Sequence, residues 1–225
     1  MKDGAPPGRG RADPSLAAAL LRFAFAGPGR KRWHITRLCM YRSLANRLAD
    51  VDGPERTCLC ISGSKGLARI LGLRQAALAE AIYPEANLLD LPQADASVDF
   101  VVSDQVLEHV EGDPFRAVAE SVRVLRPGGQ AVHTTCFVNE IHAAPGDFWR
   151  FTPQALELLA RTTGAEVVVS GGWGNRQALE IIDLGFRMQK VPEDPKNPVY
   201  RIAMRRDPRF PIATWVILRK PGRPG

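Results

Sequence analysis

Short apolar runs alternate with helical stripes through the middle of this chain, and no other sequence feature restricts its fold as much. TCLCI at 57–61 reads as a short buried strand, and SGSKG follows it at once. A second apolar segment covers 76–82, and VDFVVS at 98–103 reads as another strand. Residues 113–125 read as a helix: Asp113 and Pro114 open it, and Phe115, Val118, Val122 and Leu125 line one face. RPGG at 126–129 stops that helix and turns the chain into a strand over 130–135. Thr152 and Pro153 cap a further helix through Ala160, and 165–170 and 212–218 read as strands. Such alternation predicts an α/β fold with a largely parallel sheet. Ligands of these sheets sit beyond the strand C-termini, so chemistry is sought in the residues that follow each strand.

The flanks differ from this middle. Residues 1–14 are rich in Gly, Pro and Arg and are expected to be a disordered basic leader. Residues 15–26 are apolar apart from Arg22, too short to span a bilayer, and are expected to form an amphipathic helix packed on the domain. The adjoining basic run at 30–32 leaves weak contact with a membrane surface as a further option. Ala24, Phe25 and Ala26 imitate a signal cleavage site, but Arg22 interrupts the apolar stretch, so a cytoplasmic protein is expected. Residues 33–49 carry a helical stripe. The expected organisation is therefore a leader at 1–14, N-terminal helices at 15–56, and one domain at 57–225 with an insertion at 171–211. That insertion is expected to hold a helix to about Met188 and then a Pro-rich loop.

Composition narrows the partners. The net charge is +6, yet residues 57–185 carry sixteen acidic against nine basic side chains. The positive charge belongs to the two ends, which is not the pattern of a uniformly basic nucleic-acid binder, and no nucleic acid is expected as a partner. Cys39, Cys58, Cys60 and Cys136 form no CxxC or Cys/His spacing, so neither zinc nor a disulfide framework is expected.

Four segments carry the candidate chemistry. The small residues at 62–66 let a backbone approach a ligand closely, with free N–H groups at the start of the following helix. They are not a P-loop, since GxxxxGK[ST] is absent. Asp90 precedes a strand and could accept from an exocyclic amine, or simply be a turn residue before Pro92. SDQVLEHV at 103–110 leaves the VDFVVS strand, and RVLRPGG at 123–129 feeds the next.

Taken in order, LLDLP, SVDFVVSDQVLEHV and RVLRPGGQAVHTT resemble the class I S-adenosylmethionine-dependent methyltransferases, near the broad methyltransferase-11 group. The resemblance covers roughly 55–170 and, more loosely, the strand around Trp215. HTTCF at 133–137, His142, GDFWRFTP at 146–153 and GGWGNR at 171–176 look like a bacterial branch of these enzymes associated with glycoconjugates. The resemblance implies a Rossmann-like, doubly wound sheet of seven mostly parallel strands with an antiparallel last strand. It implies S-adenosyl-L-methionine as cofactor and a small-molecule or glycoconjugate acceptor methylated on oxygen or nitrogen.

Carried over residue by residue, the first motif falls on Cys60, Ser62, Gly63, Ser64 and Gly66. Cys60 stands where the family has an aspartate, and Ser62 and Ser64 replace glycines. Glu80 is the nearest match to the ribose acid. Asp90 with Leu91 matches the adenine side, and Ser103, Asp104 and Gln105 match the wall beside the cofactor. The degenerate first motif keeps a second reading open, a non-catalytic binding domain of the same fold. A nicotinamide-dependent oxidoreductase is disfavoured because the first turn lacks GxGxxG.

A hydroxyl acceptor needs a base that works near neutral pH, and histidine is the usual choice. His142, in the loop after the HTT strand, is the expected base, with Asp147 to orient it. His133 is expected in the core and His109 at a helix start. Trp149, Arg150, Trp173 and Arg176 are candidate acceptor-pocket residues. Alternatively, Phe148, Trp149 and Phe151 form a packed loop cap, and Arg176 pairs with Glu180. Cys136 as a thiol nucleophile is disfavoured, because no elbow motif precedes it.

Overall fold

The structure is a computed structural model, and it describes residues 16–142 and 145–222. The expected leader at 1–14 lies outside the described residues. The sheet is built from β2 (Thr57–Ile61), β3 (Ala77–Ala81), β4 (Val98–Asp104), β5 (Leu125–Cys136), β6 (Glu166–Trp173) and β8 (Ala213–Arg219). Their order is β3-β2-β4-β5-β8-β6. The pairs β2–β3, β2–β4 and β4–β5 are parallel, and β8 runs antiparallel to both β5 and β6.

The period of two along each strand divides the core. Cys58, Cys60, Phe100, Val102, Val132, Trp215 and Ile217 enter one cluster, shared with α2 (Ile35–Leu44) and α3 (Lys65–Ile70). Leu59, Ile61, Val101, Ala131, Val216 and Leu218 enter the other, shared with α4 (Pro114–Val124) and α5 (Pro153–Thr162). Both helices begin as their sequences predict. Asp113 accepts from Phe115 N at 2.8 Å, and Thr152 Oγ1 accepts from Ala155 N at 3.1 Å.

The strand count departs from expectation. Six strands form the sheet among the described residues, not seven. Between β3 and β4 the chain makes a tight turn, with a single bridge between Asn87 and Asp90. Asp90 N donates to Asn87 O at 2.9 Å, and Asn87 Oδ1 accepts from Leu89 N at 2.9 Å. This short span contains Pro84 and Pro92, which lack the N–H that a ladder needs.

The flanks also rearrange. The expected helix at 33–49 is α2 alone, preceded by β1 (Lys31–His34). The expected insertion begins later, because β6 runs on to Trp173. It contains α6 (Arg176–Ile181), a π turn at Ile182–Phe186, β7 (Lys190–Pro192) and α7 (Pro198–Met204) rather than a Pro-rich loop. β7 pairs antiparallel with β1, and α1 (Leu16–Ala26) and α2 both contact α7. Phe25 of α1 stacks on Phe186 with centroids 5.3 Å apart, and Asn197 Nδ2 donates to Ala24 O at 2.8 Å. The N-terminal segment and the insertion are thus one cap on one face of the sheet. No helix among the described residues is long and apolar enough to cross a membrane.

Candidate active site

A cleft of about 400 Å³ opens at the C-terminal ends of β2, β3 and β4. Ile61 and Ser62 supply one side, Tyr83, Asn87 and Leu88 the second, and Gln105, Val106, His109 and Val110 the third. The turn after β2 is left-handed, with φ of 46° at Ser62 and 84° at Gly63. A Cβ at Gly63 or Gly66 would meet nothing, so the outer side of this turn is open to a ligand. Ser64 anchors its inner side: the buried hydroxyl donates to Ile61 O and accepts from Asp104 N at 2.8 Å. One serine therefore locks β2 to β4 where the family motif carries a glycine.

Of the expected cofactor residues, Ser62 and Gln105 line the cleft, and Gly63 and Gly66 flank it. The others do not line it, for definite reasons. Cys60 is buried against Cys58, Sγ to Sγ 3.8 Å, and Ser64 is committed to the frame. Ser103 is enclosed against His133, Oγ to Nδ1 2.7 Å. Leu91 is buried, its N–H donating to Glu120 Oε2 at 2.9 Å. Asp90 is exposed and closes the turn, so Asn87 and Leu88 take the place expected for it. Glu80 pairs with Lys65 at 2.6 Å, and Tyr83 occupies the rim beyond it. Asp104 accepts from Tyr41 Oη at 2.5 Å and Thr134 Oγ1 at 2.6 Å. Tyr83, Asn87, Leu88 and His109 were not expected here, although the first three lie just beyond β3 and His109 just beyond β4.

The loop after β5 closes over this end of the sheet. Phe148 N and Trp149 N both donate to Glu108 O, at 2.8 and 3.2 Å, and Trp149 Nε1 donates to Val110 O at 2.9 Å. Trp149 is therefore chiefly a clamp, as the loop-cap alternative anticipates. The loop's acid is Asp147, nearly enclosed. Hydrogen bonds from Arg150 hold its carboxyl well below the usual carboxylate range, outweighing burial, and the N–H of His142 adds to them. Arg150 also reaches Glu140 O at 3.3 Å, so it braces the loop rather than facing an acceptor.

His142 Nδ1 lies 3.2 Å from Asp147 Oδ2, 3.1 Å from Glu140 O and 3.0 Å from Asn139 Nδ2. Its ring meets that of His109 edge-on, with centroids 4.8 Å apart, and His109 lines the cleft. The expected base thus stands directly behind the cleft wall. His133 is completely buried, and burial pushes its pKa down to about 4, so it is a neutral core residue.

Two expected acceptor residues fall elsewhere. Trp173 is fully buried in the core. Arg176 is exposed, lies over the Phe210 ring at 5.0 Å, and lines a separate depression with Arg205 and Asp207.

Glu108, Cys136 and His142 bring ligand-type atoms within 4.8 Å of one another. Glu108 Oε2 accepts from Thr135 at 2.7 Å and Oε1 has no partner among the described residues; burial raises its pKa. Arg37 acts electrostatically on Glu108, and Arg150 on Cys136. A cation placed there would meet two fixed positive charges.

Residues 42–133 match the family model of a methyltransferase domain. A Mycolicibacterium smegmatis protein named "Probable S-adenosylmethionine-dependent methyltransferase" is 36% identical over 156 residues, 60% of this chain and 60% of its own length. A Mycobacterium tuberculosis protein with the same description is 48% identical over 62 residues, 28% of this chain and 22% of its own. The chain therefore spans three fifths or less of the length of these curated relatives. Among solved structures, Haemonchus contortus phosphoethanolamine N-methyltransferase 2 in complex with S-adenosyl-L-methionine matches with a TM-score of 0.53 at 14% identity, over 81% of this chain and 52% of that one. A chain of the complex between the Haloferax volcanii Trm112 methyltransferase activator and a methyltransferase matches with 0.51 at 16%, over 85% and 96%. At such identities the two structures speak for the fold alone. The matched segment and the shared description of these relatives make the chain similar, over residues 42–133, to S-adenosylmethionine-dependent methyltransferases, and its parallel sheet closed by an antiparallel strand is of the same fold as the two solved structures.

Proposed function

We propose that this chain transfers a methyl group from S-adenosyl-L-methionine to oxygen or nitrogen of a small-molecule or glycoconjugate acceptor, with His142 as general base. The observation that carries the reading is the placement of His142, oriented by a nearly enclosed carboxylate and packed on a histidine of the cleft wall. The cofactor fits the residues present. The cleft has the volume of a small-molecule site, and the turn at Gly63 and Gly66 leaves its backbone approachable. Ser62, Tyr83, Asn87, Leu88 and Gln105 would hold it.

The cofactor supplies a methyl group already activated on a sulfonium centre. The protein's part is to align the acceptor, exclude water and take the acceptor's proton. Asp147 Oδ2 and Glu140 O favour a proton on His142 Nδ1 against the one opposing donor, Asn139 Nδ2, and a proton there leaves Nε2 to accept one. Asp147 then stabilises the imidazolium that forms. The Phe148–Trp149 clamp on the Glu108 turn fixes the loop in this position. Four buried free cysteines accord with a reducing compartment, the cytoplasm.

Calorimetric titration with S-adenosylmethionine and S-adenosylhomocysteine tests the cofactor; no binding at millimolar ligand sinks the proposal. A screen of sugar hydroxyls and amines with methyl-labelled cofactor tests transfer. Against any acceptor found, His142→Ala is expected to lower kcat about 10²- to 10⁴-fold with unchanged S-adenosylhomocysteine affinity.

A further inference from the structure

Five arginines among the described residues are half-buried: Arg37, Arg123, Arg126, Arg150 and Arg187. Three have carboxylates. Arg123 pairs with Asp95 and Glu120, Arg126 with Asp99, and Arg150 with Asp147. Arg37 and Arg187 have no carboxylate within ion-pair distance among the described residues. Among the described residues Arg37 reaches hydroxyl groups, Thr36 Oγ1 at 3.5 Å and that of Tyr41, and Arg187 reaches Asn139 Oδ1. Burial lowers the Arg187 pKa, and the charge of Arg37 lowers it further. Two partly desolvated guanidinium groups that repel one another are costly unless an anion lies between or beside them.

Their placement ties them to the acceptor side. Arg187 is bonded to Asn139, whose Nδ2 lies 3.0 Å from His142 Nδ1. Arg37 stands one helical turn before Tyr41, whose hydroxyl donates to Asp104, next in the chain to the cleft residue Gln105. The acids in reach do not neutralise the pair. Asp104 already accepts from Tyr41 and Thr134, Glu108 accepts from Thr135 and is pushed toward its neutral form by burial, and Glu140 is exposed and beyond ion-pair distance. His34 is neutral there, its pKa lowered to about 4 by burial and then by Arg37 and Arg187.

We propose that Arg37 and Arg187 form an oxyanion-binding element beside the base, so that the acceptor carries a phosphate or carboxylate group near the atom that is methylated. Guanidinium forks suit both groups. This rests on the methyltransferase reading for its meaning, but not for its test.

The full chain would be titrated with inorganic phosphate and, separately, acetate, with and without saturating S-adenosylhomocysteine. Saturable binding of one or both is expected, weakened at least tenfold in Arg37→Gln and Arg187→Gln and several-fold in the Lys variants, which keep the charge. Affinity for S-adenosylhomocysteine should stay within about twofold, and Arg176→Gln should bind anions as the parent does. The parent arms stand even if a Gln variant fails to fold. Absence of anion binding in the parent overturns the proposal, as does equal binding in folded Gln or Lys variants, or equal loss in Arg176→Gln. Failure to bind S-adenosylhomocysteine alone would instead count against the enzymatic reading.

Discussion

Two serines that stand where the family places glycines have opposite roles. Ser62 sits at φ 46°, where a Cβ is strained, and its side chain faces the cleft. Ser62→Gly is expected to raise stability by several tenths of a kcal/mol. Ser64→Ala removes the acceptor for Asp104 N in a buried site and should cost about 1–3 kcal/mol. Urea denaturation of both variants reads the two signs, and a loss at Ser62 comparable to that at Ser64 would contradict this division. The sequence alone showed two equivalent substitutions, because the left-handed turn and the β2–β4 bridge are tertiary. His133 behaves differently: its place mid-strand already suggested a core residue, and the structure encloses it. With a folded pKa near 4 against an ordinary value of about 6.5, the unfolded chain binds the extra proton between those values. Stability from this group is therefore complete above pH 6.5 and falls as pH drops toward 4, by about 3 kcal/mol. Stability from the depressed carboxyls of Asp99 and Asp147 is present above about pH 4 and is lost only below it. Thermal midpoints are expected to fall from pH 7 to pH 5, less steeply in His133→Gln; parallel profiles would refute the assignment.

At the scale of elements, local signals were legible and long-range pairings were not. α4 and α5 begin where Asp113–Pro114 and Thr152–Pro153 predict, because an N-cap is a contact within a few residues. Asp113→Ala should cost about 1 kcal/mol, seen as a lower urea midpoint with an unchanged slope; no shift would mean that Pro114 alone sets this helix end. The span between β3 and β4 gave the opposite result. Its motif residues are present as LLDLP, yet the span is closed by the Asn87–Asp90 turn, and the cleft is lined by Asn87 and Leu88 instead. Motif matching led to a segment that borders the cleft but to a side chain that does not line it, since backbone hydrogen bonds decide which residue of a turn faces inward.

For the whole molecule, the acidic middle and basic ends take on a spatial meaning. The sequence divided N-terminal helices from a late insertion, but β1 and β7, more than 150 residues apart, pair into one cap. No local pattern announces such a contact, and the described basic residues of β1, α2 and the insertion therefore meet on one face of the sheet. This union brings Arg37 and Arg187 to the same site. Its tightest apolar joint among the described aromatics is Phe25 on Phe186, parallel within 1° and both nearly enclosed. Phe186→Ala is expected to cost about 3 kcal/mol, since an enclosed ring leaves a cavity behind. Phe25→Ala should cost a similar amount, and the double variant should cost less than the sum by about 1 kcal/mol, the coupling of a direct ring contact. The cleft proposed to hold the cofactor is built from β2, β3 and β4 without these rings, so S-adenosylhomocysteine affinity should hold in folded variants. Anion binding by Arg187, which directly follows Phe186, should weaken. Costs that add without coupling would show that the two halves of the cap are stabilised independently. Loss of cofactor and anion binding together would show that the cap also organises the cleft.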